Sequence, residues 1–273
     1  MPRLVVFSDM DGTLLHAKTY EFEAALPAVD ALKARGVPLV LVSSKTRAEI
    51  EHYRDIFCNH DPFVVENGAA VFIPKGSFPF LVEGARELAE EYLVLEFGTQ
   101  RARILEALGR ASCALGVKFL GFASMDDAEV AERTGLPLEL ARLARAREYD
   151  EPLVLDASLK KSFERLRACL AKEGLRLTQG GRFAHALGPN DKGRAVLSLR
   201  SLFARLWPEC LSVGLGDAQN DLPMLNAVDI PFVIPNPWVD QSTLASVPCQ
   251  RRALHIAPQG FAEAISDVLS KVP

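Results

Sequence analysis

The sequence is short of the features that mark several protein classes. Its five cysteines, Cys58, Cys113, Cys169, Cys210 and Cys249, are odd in number and form no Cys-x-x-Cys pair, so neither a zinc-ligand spacing nor a disulfide framework is present. No apolar run approaches the ~20 residues that span a bilayer. There is no excess of basic residues: 31 Lys and Arg stand against 35 Asp and Glu, a formal net charge of −4, whereas nucleic-acid binders usually carry a basic surface that displaces counterions from phosphates. No repeat and no low-complexity segment occurs. The one short basic run, Arg142 to Arg147, reads as a solvated helix face, and the individual role of Arg142 stays open. Without a charged leader ahead of the first apolar strand, and with unpaired cysteines suited to a reducing compartment, the chain is expected to be cytoplasmic.

What is present is an ordinary globular composition, 49% hydrophobic and 24% charged over 273 residues, enough for one large domain or two small ones. The first third alternates short β-branched runs with helical patterns: Leu4 to Phe7, Ala24 to Arg35 closed by Gly36, Pro38 to Val42, and Thr46 to Phe57. Phe63 to Val65 then meets Glu66-Asn67-Gly68, whose Asn-Gly pair predicts a hairpin returning through Ala70 to Ile73. Near the C-terminus the same logic gives a helix from Gly193 to Leu206, a strand from Leu211 to Leu215, a helix from Leu222 to Ala227, strands at Pro231 to Ile234 and Ala253 to Ile256, and a last helix from Phe261 to Val272. The two segments look like halves of one α/β, doubly wound parallel-sheet (Rossmann-like) core.

Between them the period changes. Helix is expected from Gln100 to Leu115, strand from Val117 to Ala123, two short helices, strand from Leu153 to Asp156, helix from Lys160 to Glu173, and a hairpin of Leu175 to Gln179 with Arg182 to Leu187 turning at Gly180-Gly181. This reads as an inserted α+β cap domain over residues 84–188, with 1–83 and 189–273 forming the core.

Four pieces of sequence carry chemistry. Asp9-Met10-Asp11-Gly12-Thr13 directly follows the first apolar strand, and ligands bind at the carboxyl ends of strands in open α/β sheets; alone, the motif could equally be a turn. Gly214-Leu215-Gly216-Asp217-Ala218-Gln219-Asn220-Asp221 again ends a strand and opens a helix, where Asp217 could instead be a simple N-cap. If the halves share a sheet, Asp9, Asp11, Asp217 and Asp221 converge, and such a cluster cannot stay ionised without a cation. Hard oxygen ligands favour Mg²⁺. Lys192 sits just inside a helix start, where a cation opposes the helix dipole; it is either an exposed lysine or a substrate ligand. Ser43 ends the strand Pro38 to Val42, where its hydroxyl and backbone N–H groups could bind phosphate oxygens. Ser44 serves equally as a phosphate ligand or as the N-cap of the next helix.

Asp-x-Asp-Gly-Thr, a strand-end Ser, a Lys and Gly-Asp-x-x-Asn-Asp, in this order, resemble the haloacid dehalogenase superfamily of phosphatases. The insertion resembles the larger cap of its sugar-phosphatase branch. The resemblance implies that Asp9 attacks phosphorus, Asp11 protonates the leaving oxygen and then activates water, and Ser43 and Lys192 hold the transferred phosphoryl group. It also implies magnesium on Asp9, the Asp11 backbone carbonyl and Asp217, with Asp221 anchoring the ion's surroundings and Asn220 hydrogen-bonding nearby. Ser43-Ser-Lys-Thr-Arg-Ala-Glu49, Glu66-Asn-Gly-Ala-Ala70, Arg147-Glu-Tyr-Asp-Glu-Pro152 and Gly180-Gly-Arg-Phe-Ala-His185 are similar to signatures of the mannosyl-3-phosphoglycerate phosphatase family. Ala218 departs from that family's last motif, which has serine there.

The implied partner is a small phosphorylated sugar-glycerate, with no nucleic acid and no membrane, and homo-oligomerisation is left open. From the cap, Arg182 and His185 are the candidates for binding the sugar or glycerate, by charge and hydrogen bonding. Glu151 either binds sugar hydroxyls or turns the chain, and Lys160 has no assigned role. Readings that remain beside this one are a phosphatase for glucosyl-3-phosphoglycerate or another sugar phosphate, a phosphomutase, and a phosphosugar-binding module without turnover.

Overall fold

A computed structural model describes residues 3–179 and 183–271. Along the chain run β1 (Arg3–Ser8), α1 (Leu26–Ala34), β2 (Leu39–Val42), α2 (Arg47–Ile56), β3 (Phe63–Val65), β4 (Ala70–Pro74), β5 (Arg86–Leu88) and β6 (Tyr92–Glu96). There follow α3 (Arg101–Leu115), α4 (Asp127–Thr134), α5 (Leu138–Arg145), β7 (Asp150–Val154), α6 (Ala157–Ala171), β8 (Arg176–Gln179) and β9 (Phe183–Leu187). The last stretch holds α7 (Lys192–Leu206), β10 (Cys210–Gly216), α8 (Leu222–Leu225), β11 (Ile230–Val233), β12 (Arg251–Arg252) and α9 (Gln259–Lys271). No helix among the described residues is long and apolar enough to cross a membrane.

The chain divides into two units. The first, Met1–Ser44, Tyr53–Glu96 and Asp191–Pro273, contains a nine-stranded sheet in the order β12-β11-β10-β1-β2-β3-β4-β6-β5. From β12 to β3 the neighbours are parallel, and β4, β6 and β5 continue the sheet antiparallel. Its central strand β1 reads Leu-Val-Val-Phe because both edges and both faces are covered: Leu4 to Ser8 are all buried, the pattern expected of a parallel strand enclosed on both faces. The chain leaves β1 toward β2 on one side and returns to it through β10 on the other. That reversal of strand order makes the carboxyl ends of β1, β2 and β10 the crevice of the sheet. Register fixes the alignment, with Ser8 opposite Leu215 on β10 and opposite Leu41 on β2, so Asp9, Ser43 and Asp217 all emerge at one edge.

Two short segments escape the sequence patterns. The strands β5 and β6 lie in an acidic stretch with little alternation, yet β6 pairs with β4 and β5 with β6, and the segment belongs to the first unit, with the second resuming at Phe97. At the opposite edge, β12 is Arg251–Arg252 beside Phe232 and Val233, two residues ahead of the expected Ala253 to Ile256. An edge strand has only one partner and one row of ladder bonds, so apolar content is a poor guide to where it pairs.

The second unit, Lys45–His52 and Phe97–Asn190, is built on a three-stranded antiparallel sheet in the order β7-β9-β8. Leu153, Leu177, Ala184 and Ala186 face α3 and α6, packing with Ile104, Leu108, Leu159 and Leu166. Two differences from the sequence reading occur here. Val117 to Ala123 forms no strand: Gly121 makes a single bridge to Leu153, and the N–H of Ala123 donates to the Glu151 side chain at 2.8 Å instead of to a strand. The strand expected at Leu153 to Asp156 is β7, which starts at Asp150, because Asp150 and Glu151 are paired and buried rather than turned outward. The hairpin of β8 and β9 is antiparallel as expected; its Gly180-Gly181 turn and Arg182 lie outside the described residues.

Candidate active site

The first unit gathers Asp9, Asp217 and Asp221 so closely that one carboxylate oxygen of each lies within 4.8 Å of the others. All three are buried. Lys192, in the first turn of α7, places its ammonium 2.5 Å from Asp9 Oδ1 and 2.6 Å from Asp221 Oδ1, and it is fully buried. The helix starts where the sequence implies, because the Asp191 side chain caps it by accepting the Arg194 N–H at 2.9 Å. Lys192 is therefore turned inward by the cap that precedes it, against the helix dipole and toward the acids.

The loop after β10 is tied by Asp221 rather than capped by Asp217. Asp221 Oδ2 accepts the N–H groups of Asp217 and Ala218, each at 2.9 Å, so its carboxylate both closes the turn and faces Lys192. Asp217 receives hydrogen bonds from the Thr13 hydroxyl at 2.9 Å and the Asn236 amide at 2.7 Å. The turn after β1 is held by its own backbone: Thr13, Leu14 and Leu15 N–H groups all donate to the Met10 carbonyl, which leaves Asp11 half-buried on the loop. Its carboxylate is not part of the close cluster.

Ser43 is fully buried at the end of β2. Its N–H donates to Val64 at 3.0 Å, and its carbonyl accepts from Asn67 at 2.9 Å. Asn67, in the left-handed region at φ 59°, in turn accepts the Asn220 amide at 3.1 Å. The Glu66-Asn67-Gly68 turn thereby links the strand-end serine to the last acidic motif. Gly68 cannot carry a side chain, since a Cβ would stand 2.0 Å from the Asp191 carbonyl oxygen.

The electrostatics follow from burial and crowding. Desolvation, followed by repulsion from Asp221, lifts the Asp9 carboxyl to about 7, against the pull of Lys192. Burial, then Asp221 and Asp9, hold Asp217 well above the usual carboxylate range despite the bonds from Asn236 and Thr13. Burial opposes the charge of Lys192, but Asp221 and Asp9 outweigh it and raise its pKa. The cluster thus carries more negative charge than its lysine offsets, and its donors are all hard oxygens, a set that suits a small divalent cation.

A pH dependence follows for the metal-free protein. A carboxyl raised to about 7 keeps its proton in the folded state at pH values where the unfolded chain has lost it, so stability falls as pH rises through that window. The unfolding temperature in chelator is expected to drop as pH rises from about 4 to about 7, between the ordinary and the raised pKa of Asp9, with a contribution on the order of a few kcal/mol. Thermal unfolding at several pH values measures this; a profile that rises with pH would contradict the account.

In the second unit, His185 Nδ1 meets Asp150 Oδ2 at 2.7 Å, and Arg147 Nη1 reaches the same oxygen at 3.1 Å. Burial would raise the Asp150 carboxyl, but His185 and Arg147 hold it below its ordinary value. Glu151 is buried and bonded to Arg101 Nε at 2.7 Å. Arg47 pairs with Glu148 at 3.2 Å, and the Thr46 hydroxyl donates to the Leu143 carbonyl at 2.9 Å. Residues of three signature segments, Ser43 to Glu49, Arg147 to Pro152 and Gly180 to His185, therefore meet in this unit, although they are distant in sequence.

A family profile of haloacid dehalogenase-like hydrolases matches residues 6–80. Over 267 residues the chain is 40% identical to a glucosyl-3-phosphoglycerate/mannosyl-3-phosphoglycerate phosphatase of Methanococcoides burtonii, covering 98% of this chain and 97% of that one. A mannosyl-3-phosphoglycerate phosphatase of Pyrococcus furiosus is also 40% identical, over 84% of this chain and 90% of its own. The chain belongs to the mannosyl-3-phosphoglycerate phosphatase family of haloacid dehalogenase-like hydrolases. It is a phosphoric monoester hydrolase. The fold agrees: a phosphatase of the haloalkanoate superfamily from Bacteroides thetaiotaomicron superposes with a TM-score of 0.63 at 15% identity, over 97% of this chain and 95% of that one.

Of the residues named from sequence, Asp9, Lys192, Asp217 and Asp221 come together, with Asp11 and Ser43 on the neighbouring loop and strand end. Ser44 is half-buried after Ser43. His185 lies in the other unit, bonded to Asp150, and Arg182 is outside the described residues. Sequence reasoning passed over Asn236 and Gln241, whose amides reach Asp217. The available signal was position: Asn236 follows the apolar strand β11, the next strand end along the same sheet edge.

Proposed function

We propose that this phosphatase hydrolyses mannosyl-3-phosphoglycerate to mannosylglycerate and phosphate in the cytoplasm, with Asp9 as nucleophile. The observation that carries the chemistry is the buried group of Asp9, Asp217 and Asp221 around Lys192. The substrate rests on kinship to the Pyrococcus furiosus enzyme.

Lys192 holds Asp9 Oδ1 and so orients the other oxygen toward phosphorus. In the first step a bond forms between Asp9 and phosphorus, the bond from phosphorus to the glycerate oxygen breaks, and Asp11 gives that oxygen a proton. In the second, Asp11 takes a proton from water as the water oxygen attacks phosphorus; phosphate leaves and Asp9 is regenerated. One acid–base group serves both steps. Ser43, Ser44 and the remaining N–H of Lys192 bind the phosphoryl oxygens. Magnesium held by Asp9, the Asp11 carbonyl and Asp217, with Asp221 behind them, would neutralise charge on those oxygens and orient them. Phosphate esters are among the slowest substrates to hydrolyse uncatalysed, so positioning and charge neutralisation supply most of the acceleration.

His185, fixed by Asp150, and Arg182 are proposed to bind the sugar-glycerate part. His185→Ala is then expected to raise KM for the sugar substrate about 10-fold, as the loss of one charged hydrogen bond does, while p-nitrophenyl phosphate, which lacks that part, is hydrolysed as before. Equal losses on both substrates would remove His185 from recognition.

A second reading, acceptance of both the glucosyl and mannosyl compounds, is favoured by the 40% identity to the Methanococcoides burtonii enzyme. Phosphate release from mannosyl-3-phosphoglycerate, glucosyl-3-phosphoglycerate, 3-phosphoglycerate and sucrose 6-phosphate tests both. Preference for the mannosyl compound supports the first reading, similar kcat/KM on the first two supports the second, and release from neither overturns the substrate assignment.

A further inference from the structure

Asn236 lies in no acidic motif, yet its side chain reaches one of the site's carboxylates. It is 7% exposed, on the loop that follows β11, and its Nδ2 donates to Asp217 Oδ2 at 2.7 Å. The amide cannot sit the other way round, because the Trp238 N–H donates to Asn236 Oδ1 at 3.0 Å. The second Asp217 oxygen takes the Thr13 hydroxyl at 2.9 Å. From behind, Gln241 Nε2 donates to the carbonyls of Asp217 and Ile234, each at 2.7 Å, anchoring the same loop to the strand ends. Gly12 completes the fit at φ +86°: a Cβ there would stand 2.5 Å from Asp217 Oδ2 and 2.7 Å from Asn236 Nδ2.

We infer that Asn236 is a positioning residue, which sets the Asp217 carboxylate for a divalent cation. The inference rests on the proposal that Asp217 is a metal ligand. Its physical basis is the neutrality of the donor. A lysine or arginine at this place would fix the carboxylate equally well but offset the charge that a cation needs, as Lys192 does for Asp9 and Asp221. An amide and a hydroxyl fix it without doing so. With one hydrogen bond on each oxygen, rotation of the carboxylate is arrested and each oxygen keeps a lone pair for a further ligand. Partners behind metal-binding groups typically contribute 10- to 100-fold to metal affinity, as an order of magnitude.

The test is calorimetric titration of Mg²⁺ into the full chain without substrate, for wild type, Asn236→Leu, Asn236→Ser and Asp217→Asn, beside the unfolding temperature of each in chelator. Asn236→Leu is expected to weaken Mg²⁺ binding about 10- to 100-fold, with kcat at saturating Mg²⁺ largely kept, and Asn236→Ser, which retains a small polar group, to weaken it less. Unchanged Mg²⁺ affinity in both, with only a lower unfolding temperature, would reduce Asn236 to a structural residue and overturn the inference. Undiminished binding by Asp217→Asn is the separate result that would overturn the metal assignment and the inference with it.

Discussion

Asp9→Asn is expected to lower phosphate release by at least ~10⁴-fold, the scale on which loss of a covalent nucleophile is felt, and at the same time to leave the metal-free fold as stable as before or more so. The two effects have one origin. Asp9 is buried beside Asp221, and its carboxyl is lifted to about 7, so holding it ionised at neutral pH costs folding free energy that an amide does not incur. Asp221, 2.6 Å from the Lys192 ammonium in this chain, remains its partner when Asp9 is neutralised. A shared loss of stability and activity would point to a structural role for Asp9. Retention of turnover within about tenfold would remove it as nucleophile.

Lys192→Met is expected to act in the opposite direction on stability. Methionine matches the length of the aliphatic stem but withdraws the ammonium from two buried carboxylates at 2.5 and 2.6 Å. Removing one partner of a buried ion pair costs about 3–5 kcal/mol because the other is left uncompensated. For a chain of this size that corresponds to a fall of roughly 6–20 °C in unfolding temperature. Turnover should be lost too, since it is Lys192 that holds Asp9 Oδ1. Added Mg²⁺ is expected to recover part of the unfolding temperature by supplying the missing positive charge, but not the activity. Thermal unfolding with and without Mg²⁺ measures both, and a variant as stable as wild type in chelator would contradict the proposed charge balance.

Asp9 and Asp217 were legible because each directly ends an apolar run, and in a parallel sheet apolar runs are enclosed strands whose ends share one edge. Lys192 was legible as a violation: a cation in the first turn of a helix has to be held there by something, and two aspartates hold it. The sheet edges were less visible. At β12 the paired residues are two arginines, and at β5 and β6 an acidic segment joins the sheet, held by backbone bonds, by the Tyr92 ring against Phe63 and Phe72, and by ion pairs of Glu87 with Lys75 and of Glu96 with Arg86. The expected strand at Val117 to Ala123 failed because the Glu151 carboxylate takes the Ala123 N–H, a side-chain substitution for strand pairing that no local pattern announces. Asp150-Glu151-Pro152 resembles a turn in composition, yet it forms β7, with Arg147, His185 and Arg101 supplying the countercharges that make burial affordable. Those partners are near in space and far in sequence, which is why the sequence offered Glu151 as a ligand or a turn and not as a buried pair with Arg101.

Covalent capture on Asp9 is the most direct test of the central claim. Wild-type enzyme would be mixed with ³²P-labelled mannosyl-3-phosphoglycerate and Mg²⁺, quenched in acid within a single turnover, and digested for peptide mapping. The account predicts acid-stable, base-labile label on the peptide that contains Asp9, absent from Asp9→Asn. Phosphate released at the normal rate with no label on that peptide, or label on another residue, would contradict it.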